Sequence, residues 1–456
     1  MAADIIPLPG TRGHTSPVAH YIRIGERGHL QLEELHARGR FHASRVVIDA
    51  SWAKYQRKFI AALYSDGIEL VLDTKSAELS EPAKRNGFAR HTPWAPEDDT
   101  RPLGGQYFQS GQHDIVPQIA RFAVENNFSA VLAPCHFLRH GANDPWFDID
   151  LRACERLRKV LDESGGDKIA VDYSLITSHT LLRDEASRGA LIGQLASIPF
   201  ENLWIRASGF GSDGTAPGAR SYINSLSALH NLGRPIISDY LGGLIGLGSL
   251  AFGAASGIAH GVGERERFDA GNWHEPPRDK KEDEEKKGGG RTNRVYIASI
   301  DRSLTVSELK ALARARSGRR LLVCSERECC SGLEDMINNW RAHFLKQRSN
   351  QIRRIEGVPD LRREDDFLSK ELALADQQSR QIGELSPVES ELRPMGKETL
   401  AEAKLRLLER LKKHAKRDGK LRATLENLHE TRGQNVPRAR PTRHRVGKTS
   451  KIANSR

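Results

Sequence analysis

The sequence predicts an α/β protein built as a (β/α)8 barrel, extended at its C-terminal end by charged helices and a basic tail. Three observations predict it. Short apolar, β-branched runs alternate with segments of helical spacing, the pattern of right-handed βαβ crossovers and a parallel sheet. About eight such units fall within roughly 250 residues, the size of a closed barrel. Beyond Gly357 the apolar runs stop and dense charge takes over. A doubly wound open parallel sheet is the alternative, because a strand count does not by itself close a ring.

In chain order, residues 45–50 (RVVIDA) are the first predicted strand, and residues 52–64 carry apolar side chains at helical spacing. Residues 68–73 (IELVLD) follow as a strand. Residues 115–126 form an amphipathic helix with Ile115, Ile119, Phe122 and Ala123 on one side, and residues 129–134 (SAVLAP) the next strand. Helices at 151–161, 186–196 and 220–231 then alternate with strands at 168–172, 202–206 and 234–239. Two more short strands are expected at 257–261 and 295–299. Residues 279–290 (DKKEDEEKKGGG) hold too much charge to bury apolar surface and are expected to be a flexible insert. The predicted organisation is a barrel domain over 1–330, a helix over 331–358 that closes it, a charged helical extension over 359–430 and a tail over 431–456 that is disordered alone. Gly419 marks a point where the helix of residues 397–430 could fold back as a hairpin.

At 456 residues the chain exceeds the roughly 250–300 residues at which one core stops growing. Its net charge of +11 favours phosphate-rich partners through Coulomb attraction and counterion release, with a plain solubility surface as the alternative. After Glu430 no acidic residue remains. Five cysteines, an odd and sparse set, exclude a disulfide framework. The N-terminal residues lack the basic and apolar regions of a secretory leader, so a reducing cytoplasm is the expected compartment. Residues 241–259 carry no charge, but glycines dilute them, so a buried strand, a glycine-rich loop and a packed helix are expected rather than a membrane span. An aromatic content of 6% argues against a base-stacking platform.

In a barrel the reacting groups lie at the C-terminal ends of the strands. Asp172 and Asp239 are the candidate catalytic residues, each read as ending a strand in a strand-Asp-Tyr context, where neighbouring carboxylates could divide acid, base and nucleophile roles. Capping of the following helix is the competing explanation for a strand-end aspartate. Asp49, Lys75, Arg206 and His260 are further strand-end candidates for substrate binding. Gly242 and Gly243 join them, since a glycine-rich turn lets backbone N–H groups approach a phosphate.

The most distinctive cluster is Cys324, Cys329 and Cys330, followed by His343. Ser331 and Glu334 form a capping-box pattern, which predicts a helix from about Gly332 with Leu333, Met336, Ile337, Trp340 and Phe344 as its apolar stripe. Cys329 and Cys330 then precede a helix N-terminus, which favours thiolate. Three thiolates and one imidazole are a Cys3His donor set for tetrahedral zinc, and packed, unreactive thiols are the alternative.

A barrel followed by a cysteine cluster and a downstream histidine resembles the queuine-type tRNA-guanine transglycosylases. Gly242-Gly243-Leu244 is similar to that family's glycine-rich base-binding turn. The resemblance implies a zinc site at Cys324, Cys329, Cys330 and His343, and base exchange on tRNA or DNA in which Asp172 or Asp239 attacks the sugar carbon. The broader expectation is a glycosyl-transferring or hydrolytic barrel enzyme acting on nucleic acid or a phosphorylated small molecule. Its alternative is a non-enzymatic nucleic-acid-binding or scaffold protein that uses the basic C-terminal region.

Overall fold

The computed structural model describes residues 17–25, 28–85, 87–96, 101–263, 265–276 and 293–432. The expected insert at 279–290 and the tail from residue 433 onward lie outside the described residues.

Eight parallel strands close into a barrel: β1 (Ala19–Ile24), β2 (Arg45–Asp49), β3 (Glu69–Asp73), β4 (Ala130–Leu132), β5 (Ala170–Ser178), β6 (Leu203–Ser208), β7 (Ile236–Asp239) and β8 (Gly257–His260). Each pairs with the next in chain order. The ring closes where Ala19 to Ile22 of β1 pair with Gly257 to His260 of β8. The open-sheet alternative is therefore excluded. Both faces of each strand are buried, as parallel sheets require, so most strands read as near-continuous apolar runs. Inside the ring, Tyr21, Val47, Val71, Leu132, Trp204 and Ile237 form one apolar layer, with Tyr21 and Trp204 in ring contact at 4.7 Å. Alanines at 19, 130, 170 and 259 make room for these large rings.

The strands differ from the expected set in two places. β1 was not anticipated, because the polar His20 and Arg23 break up its apolar run. The run at 295–299 is no barrel strand. Arg294–Ile297 (β9) pairs antiparallel with Arg302–Thr305 (β10) as a separate hairpin. Its Val295, Ile297 and Leu304 belong to a second apolar cluster with Leu309, Leu312, Cys329, Cys330, Met336, Leu407 and Leu411. That cluster begins ahead of residue 330, where the sequence suggests a boundary.

The helix expected from Gly332 is broken in two, Leu333–Asn338 and Trp340–Glu356. Ser331 donates to Asp335 rather than pairing with Glu334, and the Asn339 side chain donates to Asp335 at 2.6 Å where the axis breaks. At the C-terminal end the hairpin at Gly419 does not form. Leu400–Arg432 is one helix of 33 residues that buries Leu407, Leu411, His414, Asp418, Leu421, Leu425 and Leu428 along one side. Gly419 serves close packing: a methyl group there would lie 3.2 Å from Asp376 of helix Ala373–Gly383. The uncharged stretch 241–259 resolves into helix Gly243–Ala251 and most of β8. Among the described residues, no helix is long and apolar enough to cross a membrane.

Candidate active site and candidate metal centre

Alternation along a strand sends every second side chain into the barrel. At the C-terminal end this places Arg23, Asp49, Asp73, Arg206 and Asp239, from five different strands, in one buried network. The Arg23 guanidinium donates to both oxygens of Asp239 at 2.6 Å each, to Asp73 at 2.8 Å and to Asp49 at 3.3 Å. Arg206 donates to Asp239 at 2.7 Å and to Asp73 at 2.8 Å. Lys75 lies 3.8 Å from Asp49, 3.6 Å from Asp73 and 2.5 Å from Glu78, and Arg265 reaches Asp49 at 2.8 Å. Burial alone would push the aspartates up. The cations overcome it: Arg206, Lys75 and Arg23 hold Asp73 well below its ordinary value, and Lys75 and Arg265 hold Asp49 below. The same carboxylates hold Lys75 above its ordinary value despite burial.

The backbone is held at this end as well. The amide after β7, at Tyr240, donates to Asp239, and the amide of Lys75 donates to Asp73. Both residues sit at positive φ, 58° and 57°, a conformation that costs a non-glycine residue energy and recurs at functional sites. Tyr240 lays its ring 4.5 Å from the Arg23 guanidinium and 5.7 Å from that of Arg206. The segment after β8 covers this end. Arg267–Phe268 pairs with Phe210–Gly211, the Ala270 amide donates to Ser208, and Ala83 donates to the carbonyl of Trp273. Phe268 lies between Tyr240, at 5.1 Å, and Trp273, at 5.3 Å.

The structure thus brings Asp49, Lys75, Arg206 and Asp239 together and adds Arg23, Asp73, Tyr240 and Arg265. Two sequence candidates, Asp172 and His260, stand elsewhere. Asp172 does not end its strand: β5 runs on to Ser178. Its carboxylate accepts from Asn202, twice, and from Trp204, and Glu201, just before β6, and Glu69, at the start of β3, act on it as like charges. It therefore sits toward the N-terminal end of the barrel, where burial pushes it up to about 7. His260 ends β8 but points outward, because Ala259 takes the inward position. It meets His20 at 3.1 Å between ring nitrogens, beneath Phe344, and burial holds it well below the usual imidazole value.

The turn at Gly242 and Gly243 leads into a helix N-terminus, but the protein's own carboxylates fill it. Asp301 accepts from the Leu244 amide at 2.6 Å. A methyl group on Gly243, at φ 62°, would lie 2.3 Å from Asp301, and one on Gly242 would lie 2.1 Å from Glu266. Arg348 neutralises both carboxylates, at 3.2 Å from Glu266 and 3.5 Å from Asp301. The anion place at this turn is already taken.

The sulfurs of Cys324, Cys329 and Cys330 and a ring nitrogen of His343 lie within 4.8 Å of one another. Cys329 and Cys330 approach His343 Nδ1 at 3.4 and 3.3 Å and each other at 3.6 Å. A tetrahedral zinc with bonds of about 2.3 Å to sulfur and about 2.0–2.1 Å to nitrogen separates its donors by about 3.8 Å between sulfurs and about 3.6 Å between sulfur and nitrogen. The cluster already has nearly those spacings, so these four residues could hold a metal ion such as zinc. His343 Nε2 donates to the Tyr296 carbonyl at 2.9 Å, which turns Nδ1 toward the thiols. Neighbouring sulfur contacts pull the Cys324 thiol down and push Cys330 up. The thiols raise His343 to about 9 against its burial. On the Cys324 side the cluster borders a cavity of about 150 Å³ lined by Ser299, Arg320, Glu326, Gln347 and Gln378. Gln347 also approaches Cys324 at 3.5 Å. The centre would cross-link the 324–330 loop, helix Trp340–Glu356 and hairpin β9–β10, with Arg40 donating to the Cys329 carbonyl from outside.

No protein-family model matches this sequence, and comparison with curated proteins gives no match.

Proposed function

We propose that this chain is a barrel enzyme whose reaction takes place at the C-terminal end of the strands, on nucleic acid or a phosphorylated small molecule. The observation that carries the reading is the buried network of Arg23, Arg206, Asp73 and Asp239. Buried ion pairs give little net stability compared with apolar side chains of equal volume, so their presence where barrels do chemistry favours a working site. Lys75 and Arg265, both paired with Asp49, bring the cations gathered at this end to four. The net charge of +11 favours a polyanionic partner.

The specific version is base exchange of the queuine-type tRNA-guanine transglycosylase kind. Asp239 is then the nucleophile. Its carboxylate bonds to the anomeric carbon as the base leaves, and an incoming base later displaces it. Arg23 and Arg206 hold that carboxylate in place through three hydrogen bonds. Asp172, away from this end, drops out of the role. The Cys3His cluster fits zinc, which at a closed four-ligand site would be structural, stapling the second core to the barrel. Incorporation of radiolabelled guanine into tRNA or DNA tests the version. Exchange should be lost in Asp239→Asn and kept in Asp172→Asn, provided both fold. Full exchange by Asp239→Asn overturns the assignment.

A second reading, a nucleic-acid-binding protein without chemistry, is favoured by the basic, acid-free stretch after Glu430.

A further inference from the structure

The loops after β3 and β4 build a second constellation that the network above does not use. Ser80 follows the short helix Ser76–Leu79 after β3, His136 follows β4, and Asp150 comes from helix Pro145–Glu163. The two loops are locked together by Ser76, whose Oγ accepts from the Cys135 amide at 2.8 Å and lies 2.9 Å from its carbonyl. Ser80 Oγ stands 2.9 Å from His136 Nε2. His136 Nδ1 stands 2.5 Å from Asp150 Oδ1, and the His136 amide donates to Asp150 Oδ2 at 2.9 Å. Asp150 is fully buried and His136 nearly so. The imidazole is clamped, stacked on Trp146 at 3.8 Å and 11° and met edge-on by Phe108 at 4.5 Å.

An aspartate that accepts from Nδ1–H fixes the tautomer with Nε2 unprotonated and ready to take the serine proton. A buried serine needing only a hydrogen-bond partner would not require a two-point carboxylate behind the imidazole. Ser80 retains 8% exposure, and next to it Glu81 pairs at 3.9 Å with Arg139, whose side chain is 40% exposed.

We infer that Ser80, His136 and Asp150 form a nucleophile–base–orienter triad that hydrolyses a carboxylic ester. Ser80 Oγ bonds to the ester carbonyl carbon while its proton passes to His136 Nε2. The bond to the alcohol breaks, and the alcohol leaves with that proton. Water, losing a proton to His136, then cleaves the Ser80 ester, releasing the acid and restoring the serine.

A fluorophosphonate probe on the full-length chain, followed by peptide mass spectrometry, tests this without a known substrate. The expected result is an adduct on Ser80 that is absent in Ser80→Ala and forms roughly 10²–10⁴-fold more slowly in His136→Gln, the usual worth of a general base. An unlabelled Ser80 in the folded wild-type chain overturns the inference whatever the variants do, and so does a His136→Gln variant that folds and labels at the wild-type rate. The readout involves neither Asp239 nor base exchange, so it succeeds or fails independently of the function proposed above.

Discussion

Replacing Arg23 with Met removes a cation shared by three carboxylates. The side chain is fully buried and donates to Asp239, Asp73 and Asp49. Breaking a buried pair by removing one partner costs about 3–5 kcal/mol, because it leaves charge uncompensated. Arg206 still reaches Asp239 and Asp73, so the lower end, about 3 kcal/mol, is expected here. The loss should also depend on pH. Asp73 and Asp49 are held below their ordinary values, so they contribute stability that is present above the unfolded carboxyl pKa and lost as pH falls through the folded ones. Without Arg23 that depression shrinks. The gap between wild type and variant should therefore be widest near pH 7 and narrow below about pH 4. Urea unfolding followed by near-ultraviolet circular dichroism at both pH values measures it. A variant as stable as wild type near neutrality, or a gap that does not narrow in acid, would refute the reasoning.

Three further outcomes follow from the same geometry. His260→Gln should gain on wild type as pH falls from about 6.5, by up to about 1.4 kcal/mol per pH unit, because the native fold holds His260 neutral while the unfolded chain protonates it; melting curves across that range check this, and a constant difference contradicts it. Gly257→Ala should cost about 1–3 kcal/mol by overpacking the β1–β8 seam, where a methyl group would lie 2.7 Å from the Ala19 methyl. Its melting temperature reads the cost, and an unchanged value would argue against closure at that seam. Zinc analysis of freshly purified protein should find about one metal per chain, and His343→Ala should lower both metal content and melting temperature; an absence of stoichiometric metal, with all three thiols open to alkylation, would leave them as packed cysteines.

Much of the barrel was legible because parallel strands are buried on both faces and so read as apolar runs: seven of the eight ring strands, β2 to β8, stand where periodicity puts them. β1 was hidden because it carries an inward arginine and an outward histidine, whose partners lie 216 and 240 residues away. Such pairings exist only once the ring closes. That is also why Arg23 and Arg265 were missed, although Asp49, Lys75, Arg206 and Asp239 could be picked out as strand-end residues. His260 went astray by parity, since a strand end says nothing about which face a side chain takes. Asp172 went astray by strand length, since the polar Ser174, Thr177 and Ser178 continue β5 past the apparent end. The cysteine cluster was legible because its four residues fall within a short loop and the helix pair after it. The triad was not, because Ser80, His136 and Asp150 meet only through the folding of two loops and a helix.

Hydrogen–deuterium exchange of the full-length protein, with and without a saturating mixture of tRNA, DNA oligonucleotide and nucleoside monophosphates, tests the central claim most directly. A reaction site at the C-terminal end of the barrel predicts new protection in the turns that follow Asp49, Asp73, Arg206 and Asp239 and in the covering segment at 265–273. Protection confined to helix Trp340–Glu356 and the chain beyond Glu430, with those turns unchanged, would contradict it and leave a basic binding protein without an active site in the barrel.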